Sequence, residues 1–469
     1  MIEGYFIGAA TTAAALFVLR NRWATAALMT VFAALQCALL FYEYSHLNET
    51  TETYFQADAA GWVLLAATSA VSILSLFHGY HYNVSRKEPA HVVALHNTAM
   101  VMFVAMTSGA ILARHLGVMW AFLEATTIFG SVLIYHKRDP AALEAAWKYS
   151  FVCSVGVAIA FLGVLCLTAA NPDRHAELFV DELARNASRF DPLWLKIAFV
   201  FAFTGFSVKM GVAPLFNVDI DAKDVAPSPV GALLSGGLMN AGFIAVFRFY
   251  QIFAAGPAAA WMDAVLLFTG LATIFLAVVF LLKARNLKRI FAYSSMEHGG
   301  IALVALSVGA APAAFLHLFF HSLIKAGLFF QIGQVGRIFH TKDVGLMRGY
   351  MRVFPAGATA LLLSWAMVLG MPPGGLFFSE LMTFKALIAG ERFLTFAFMA
   401  GMLTLALFAM GRSVLGVVYS APDSPSPAPL KKVETLSQYA LMAAVVFLAV
   451  APPEEFSRLI AQTALIVLK

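Results

Sequence analysis

Six ionisable residues stand inside long apolar runs: Glu124, Lys209, His317, His321, Lys325 and Glu380. Glu124 sits in Trp120-Ala-Phe-Leu-Glu124-Ala-Thr-Thr, and Lys209 in Thr204-Gly-Phe-Ser-Val-Lys209-Met-Gly, five residues before Pro214. His317, His321 and Lys325 recur every four residues, which on an α-helix aligns all three on one face over ~12 Å. Glu380 follows the Pro372-Pro373-Gly374-Gly375 interruption by little more than a turn, and Glu297 and His298 stand about two turns into another run.

The chemistry such a row serves is proton relay. A charge at mid-bilayer costs roughly 2.5–3.5 kcal/mol on insertion scales, so it needs a partner or water. A buried carboxylate and a buried ammonium shift each other's proton affinity, and imidazoles pass protons onward because they titrate near neutral pH. Each residue alone has a plainer reading. His298 by itself reads as well as a helix–helix hydrogen bond, and Glu124 with Lys209 as a structural ion pair. The His-x3-His-x3-Lys face is a poor metal site, because lysine is a weak ligand and no carboxylate is seen to support it; no metal site is expected. His78, His81, His91 and His96 lie at or near run ends and read as bland, while Lys385 snorkels at a membrane edge.

Only helices in a bilayer could position such a row, and the composition supplies them. The 469-residue chain is 61% hydrophobic and 12% charged, against about 25% charged in soluble domains. Its mean hydropathy is +0.80. Apolar runs bounded by charges lie near 2–19, 23–42, 59–79, 91–109, 113–135, 146–170, 193–214, 229–253, 258–282, 290–310, 312–336, 354–390, 393–420 and 435–452, about fourteen spans in all. The fold class is therefore all-α and polytopic; a membrane barrel would show weak alternating segments instead.

The run 354–390 is too long for one straight helix and is interrupted by Pro372 and Pro373, and a second broken helix is expected around Lys209–Gly211–Pro214. Two interrupted spans about five spans apart predict two inverted five-helix repeats, each with a broken helix. Arg20/Arg22, Arg86/Lys87, Lys137/Arg138, Lys283–Arg289, Lys342/Arg348/Arg352 and Lys431/Lys432 fall on one side only if 354–390 counts once. The acidic loops 41–58 and 172–191 then lie opposite, and both termini are outside. Residues 1–90 form about three N-terminal spans, 91–420 the core, and 421–469 a proline-containing linker and a C-terminal span.

Other classes fall away. Cys37, Cys153 and Cys166 show no Cys-x-x-Cys spacing, which excludes an iron–sulfur or cysteine-zinc site held by this chain alone. The net charge of +5 carries no long basic run, so it reads as loop bias and not as nucleic-acid binding. The run beginning at Ile2 lacks a basic leader and reads as a retained span.

In order along the chain, several blocks resemble the antiporter-like proton-channel subunits of complex I (NADH:quinone oxidoreductase), Mrp-type cation/proton antiporters and membrane-bound group 4 hydrogenases. They are the Glu124 block, Glu144-Ala-Ala-Trp147-Lys148-Tyr149, Gly205–Leu215, Ala226-Pro-Ser-Pro-Val-Gly-Ala-Leu-Leu-Ser235-Gly and Asn286–His298. His317–Ala326 and Gly370–Glu380 complete the set, which covers roughly residues 90–390. The likeness is greatest to the hydrogenase-4 component F branch. It implies that Glu124 and Lys209 are a coupling pair, that His317, His321 and Lys325 form a central relay, and that Glu380 is the terminal group. Glu297, His298 and Asn240 would be secondary relay or hydrogen-bonding positions. Complex I subunits often place a lysine near Asn240, and this chain has none in that span. After Pro214 the family reads something like His-x-Trp-Leu-Pro-Asp-Ala-His. Here Phe216-Asn-Val-Asp-Ile-Asp221-Ala222-Lys223 lacks both histidines and the tryptophan, which leaves the way in for protons near 216–224 unassigned.

The resemblance implies a proton- or sodium-translocating subunit in a prokaryotic inner membrane that is not itself catalytic. It would be driven by redox chemistry in other membrane antiporter-like and quinone- or hydrogenase-module subunits. No cofactor is expected in this chain, and iron–sulfur, flavin or nickel–iron centres would belong to those partners. The alternatives are a subunit of an Mrp-type antiporter, the ion channel of a bicarbonate-uptake complex, or a plain membrane scaffold.

Overall fold

The computed structural model describes residues 1–47, 49, 54–86, 88–173, 177–421 and 433–468. Lys87, Lys431, Lys432 and the proline-containing linker fall outside that set. The described chain is helical: α1 (Ile2–Val18), α2 (Arg22–Ser45), α3 (Ala59–Arg86), α4 (Ala90–Leu112), α5 (Leu116–Ile134), α6 (Pro140–Ala170), α7 (Val180–Asn186), α8 (Pro192–Met210), α9 (Asn217–Val225) and α10 (Ser228–Leu233). There follow α11 (Met239–Ala254), α12 (Ala259–Lys283), α13 (Leu287–Ser307), α14 (Ala311–Phe339), α15 (Tyr350–Val353), α16 (Pro355–Val368), α17 (Gly375–Ala389), α18 (Phe393–Tyr419), α19 (Val433–Val450) and α20 (Glu454–Leu468). A π turn, Leu234–Leu238, joins α10 to α11 into one span.

Local chemistry sets the helix starts. Asp139, Asp191 and Asn286 accept from the first free N–H groups of α6, α8 and α13, and Pro140 and Pro192 occupy a first-turn position where no donor is lost. Small residues set the closest packing. Gly163 of α6 lies against the backbone of Ala198 and Ala202 on α8, so near that a side chain there would meet Ala202 N at 2.5 Å.

Among the described residues ten helices are long and apolar enough to cross a membrane, or eleven if α19 and α20 are one bent span. The estimate of about fourteen also counted α1 and α16, which are shorter, and α13, whose middle carries Ser294, Ser295, Glu297 and His298. The α10–α11 span and α14 are buried along their whole apolar length and form the centre, while α2 and α18 lie largely exposed at the rim.

Both expected interruptions are present. α8 ends at Gly211 and resumes as α9; α16 ends near Gly370 and resumes as α17. Each break pairs a left-handed glycine (φ +71° and +65°) with a cis proline three residues on, Pro214 and Pro373. Past Ala451-Pro452-Pro453 the chain bends by 69° into α20, which the sequence reading did not foresee. α20 has no long apolar run: Leu459, Ile460 and Thr463 are buried while Glu454, Glu455 and Arg458 are exposed.

The loops gather at two ends. At one, backbone bridges tie Phe55 to Ala113 and His115 to Phe179, beside a bidentate contact from Arg248 to Asp58 at 2.5 and 2.9 Å. At the other, Asn286 bridges Asp343, and Asp224 accepts from Asn286, Arg289 and Lys342 at 2.9, 2.9 and 2.7 Å. Burial alone would raise the Asp224 carboxyl, but Lys342, Arg289 and Asn286 together hold it below its ordinary value.

Candidate functional site

The site is a row of buried polar groups passing through α5, α8, α9, α13, α14 and α17. Lys209, in the last turn of α8, donates to Thr126 Oγ1 at 3.1 Å and Thr127 Oγ1 at 2.6 Å, and lies over the Tyr149 ring at 5.7 Å. Glu124, half-buried on α5, accepts from Ser154 Oγ at 2.6 Å, and its other oxygen has no hydrogen-bond partner among the described residues. The two are within electrostatic range, yet no ion pair joins them among the described residues. The expected direct pairing is therefore not what the fold shows. Threonine hydroxyls one turn from Glu124 take the ammonium instead.

The first interruption brings a second charged pair into the interior. Lys223 Nζ lies 2.5 Å from Asp219 Oδ2, one turn apart on α9, and both residues are buried. Gly211 makes room for this carboxylate: a Cβ there would meet Asp219 Oδ2 at 2.6 Å. Neither Asp219 nor Lys223 was singled out in the sequence, although their four-residue spacing was visible. Pro214 lies in the break as expected.

Asn240, just after the π turn, donates to Thr68 Oγ1 at 3.3 Å and Ser322 Oγ at 3.0 Å; Ser322 also reaches Gly236 O at 3.1 Å. The π turn thus opens a carbonyl to α14 and turns Asn240 toward the centre.

The imidazole group follows. Lys325, fully buried on α14, donates to Phe291 O at 3.0 Å on α13, and Glu297 on the same helix is within electrostatic range of it. His298 Nδ1 and His317 Nε2 are 3.0 Å apart, and His317 Nδ1 meets Ser379 Oγ at 2.9 Å. His321 packs its ring 5.1 Å from that of His298, and neither of its nitrogens has a hydrogen-bond partner among the described residues. Glu380 on α17, just past Pro372 and Pro373, lies against Gly370, with only 2.9 Å between its Cδ and a Cβ built there. So Glu297 and His298 belong to the centre of the row.

His298, His317 and Glu380 present ligand atoms within 4.8 Å of one another, a spacing able to hold a metal ion. The sequence reading saw no carboxylate beside the histidines; the second break supplies one. The two imidazoles meet each other directly, and Ser379 orients His317, which is the contact a proton relay uses. His96, read as bland, is buried in α4 with its ring 4.4 Å from that of His136 and neither nitrogen hydrogen-bonded among the described residues.

Residues 113–407 match the family described as NADH:quinone oxidoreductase/Mrp antiporter, TM. The chain is 29% identical over 385 residues to a hydrogenase-4 component F homolog of Methylacidiphilum infernorum, covering 80% of each. It is 26% identical over 382 residues to NADH-quinone oxidoreductase subunit N of Halorhodospira halophila, covering 80% of this chain and 75% of that one. Its fold is that of a chain in an archaeal membrane-bound sulfane sulfur reductase (TM-score 0.89, 18% identity, 100% and 98% covered). It also matches one in the Mrp complex of a Dietzia species (TM-score 0.84, 16% identity, 98% and 95% covered). Both solved neighbours come from multi-subunit membrane assemblies. The multi-pass chain belongs to the NADH:quinone oxidoreductase/Mrp antiporter transmembrane family.

Proposed function

We propose that this chain moves protons across a prokaryotic inner membrane as the ion-translocating subunit of a complex I-like or membrane-bound hydrogenase-type assembly. The observation that carries the reading is the continuous succession of buried ionisable groups from Glu124 and Lys209, past Lys325 and the paired imidazoles, to Glu380, flanked by two interrupted helices. Such groups are costly in a membrane and mark ion pathways. Glu124 is the one half-buried member, on a helix with exposed side chains, where a neighbouring subunit can alter its charge or position. That change is felt at Lys209, and a proton then passes along the His298/His317/His321 group to Glu380. Redox centres of iron–sulfur, flavin or nickel–iron type would reside in the partners. Sodium in place of the proton is the variant to be tested beside it.

Two measurements test this. The tagged chain is purified in mild detergent with its companions, and iron, nickel, zinc and flavin are assayed to name the electron donor. Inverted membrane vesicles fed that donor are then followed with a pH-sensitive dye. Lys209→Met and Glu124→Gln should assemble but lose acidification; normal acidification by both refutes the reading. A companion set without redox centres, in keeping with the Mrp fold likeness, would make the chain an antiporter subunit, and zinc alone would point to bicarbonate uptake.

A further inference from the structure

We propose that Asp219 and Lys223 form the middle link of the ion path, carrying charge between the Glu124/Lys209 end and the Lys325/His321 end. This rests on the ion-translocation reading. The placement is the first argument. Asp219 lies against the Gly211 turn, two residues beyond Lys209, and is within electrostatic range of Tyr149 and Cys153, the latter also sensed by Lys209. Its partner Lys223 is within electrostatic range of Lys325 and His321. One side of the pair therefore belongs to the first cluster and the other side to the second.

The second argument is what stands elsewhere. The central span offers Asn240, whose amide is bound to Thr68 and Ser322 and does not titrate, so it cannot carry charge across the middle. The third is energetic. Burying an ion pair is a poor route to stability, since apolar residues of similar size commonly serve a fold as well or better. A pair with 5% and 1% exposure, on a helix that interrupts a span, is better explained by charge transfer than by packing. In the step itself Lys223 gives one N–H proton toward a neutral Lys325 and is reprotonated from the Lys209 side. Asp219 remains a carboxylate throughout, so one proton leaves Lys223 as one arrives.

The test uses the whole assembly in inverted vesicles, with donor oxidation and acidification recorded together. Lys223→Met alone would leave a buried, unpaired carboxylate, so the informative variant is Asp219→Leu with Lys223→Met, which removes both charges. That variant is expected to assemble while acidification per donor oxidised falls on the order of tenfold or more. Lys223→His, which keeps a titratable group opposite Asp219, should recover a measurable share. Normal acidification by the double variant, its failure to assemble, or a histidine variant as inactive as the double would each assign the pair a structural role and overturn the proposal. Lys209→Met separates the two levels. If it acidifies normally, the ion-translocation reading itself fails; if it is inactive while the double variant works, only the middle link is lost.

Discussion

Gly370→Ala separates backbone strain from displacement of the relay's last carboxylate. Gly370 has φ +65°, a conformation that costs an L-residue about 1–2 kcal/mol. Its added Cβ would also come within 2.9 Å of Glu380 Cδ and closer still to Oε2. Carbon contacts settle near 3.5–4.0 Å, so the carboxylate must withdraw by about 1 Å. A displacement of that size at a reacting group costs on the order of a hundredfold in rate. Gly211→Ala repeats the experiment at the first break, where φ is +71° and the Cβ meets Asp219 Oδ2 at 2.6 Å. Gly309→Ala is the control: φ is +73°, but nothing lies within 4 Å. All three variants should lose similar thermal stability in detergent, measured by fluorescence-detected melting. Only the first two should lose donor-driven acidification in vesicles. A Gly309→Ala protein as inactive as Gly370→Ala would show that strain alone is responsible and refute the reasoning, as would a Gly370→Ala protein that acidifies like the wild type.

Other consequences can be checked separately. Asp224 has a depressed proton affinity in the fold, so its stabilisation is present above the unfolded-state value near 4. It is lost as pH falls through the lower folded value, and Asp224→Asn should cost about 2 kcal/mol at pH 7 and much less in strong acid. Thermal melts across that range that leave the variant and the wild type equally separated would contradict this. Thr127→Val removes the shorter of the two acceptors at Lys209 and should slow acidification more than Thr126→Val, the longer contact. The facing nitrogens of His298 and His317 are engaged with each other, so the purified chain should carry zinc well below one ion per molecule; stoichiometric zinc by elemental analysis would make the trio with Glu380 a metal centre. Gly163→Val should prevent α6 from seating on α8 and abolish assembly, read by size-exclusion chromatography.

What the sequence made legible depended on how far each signal reached. Apolar runs and their charged borders located the spans, because a bilayer imposes length and polarity directly. Proline and glycine inside such runs announced both interruptions for the same reason. The four-residue rhythm of His317, His321 and Lys325 correctly placed them on one buried face of α14. The pairings were another matter. Whether Lys209 meets Glu124 or the hydroxyls of Thr126 and Thr127 is decided by side-chain reach across a helix contact, which spacing does not encode. Glu380 joined the histidines only because α17 returns to α14 after its break. Asp219 and Lys223 escaped notice because an acid and a base four apart look like an ordinary solvated pair, and only the packing reveals that no solvent is there. α20 was missed because an amphipathic helix offers no run for a hydropathy reading to find.

The π turn at Leu234–Leu238 constrains the history of this chain. Such a turn holds one residue more than an α-helix would, and deleting any one of them restores regular winding. The price is a rotation of everything beyond by about 100°, which swings Asn240 away from Thr68 and Ser322. Substitutions here can be tried singly and discarded; a shortened helix has no tolerable intermediate. A library of single-residue deletions through 228–254, selected for acidification, should return no survivors around 234–240. Across that stretch descendants of this sequence can change their letters but not their number.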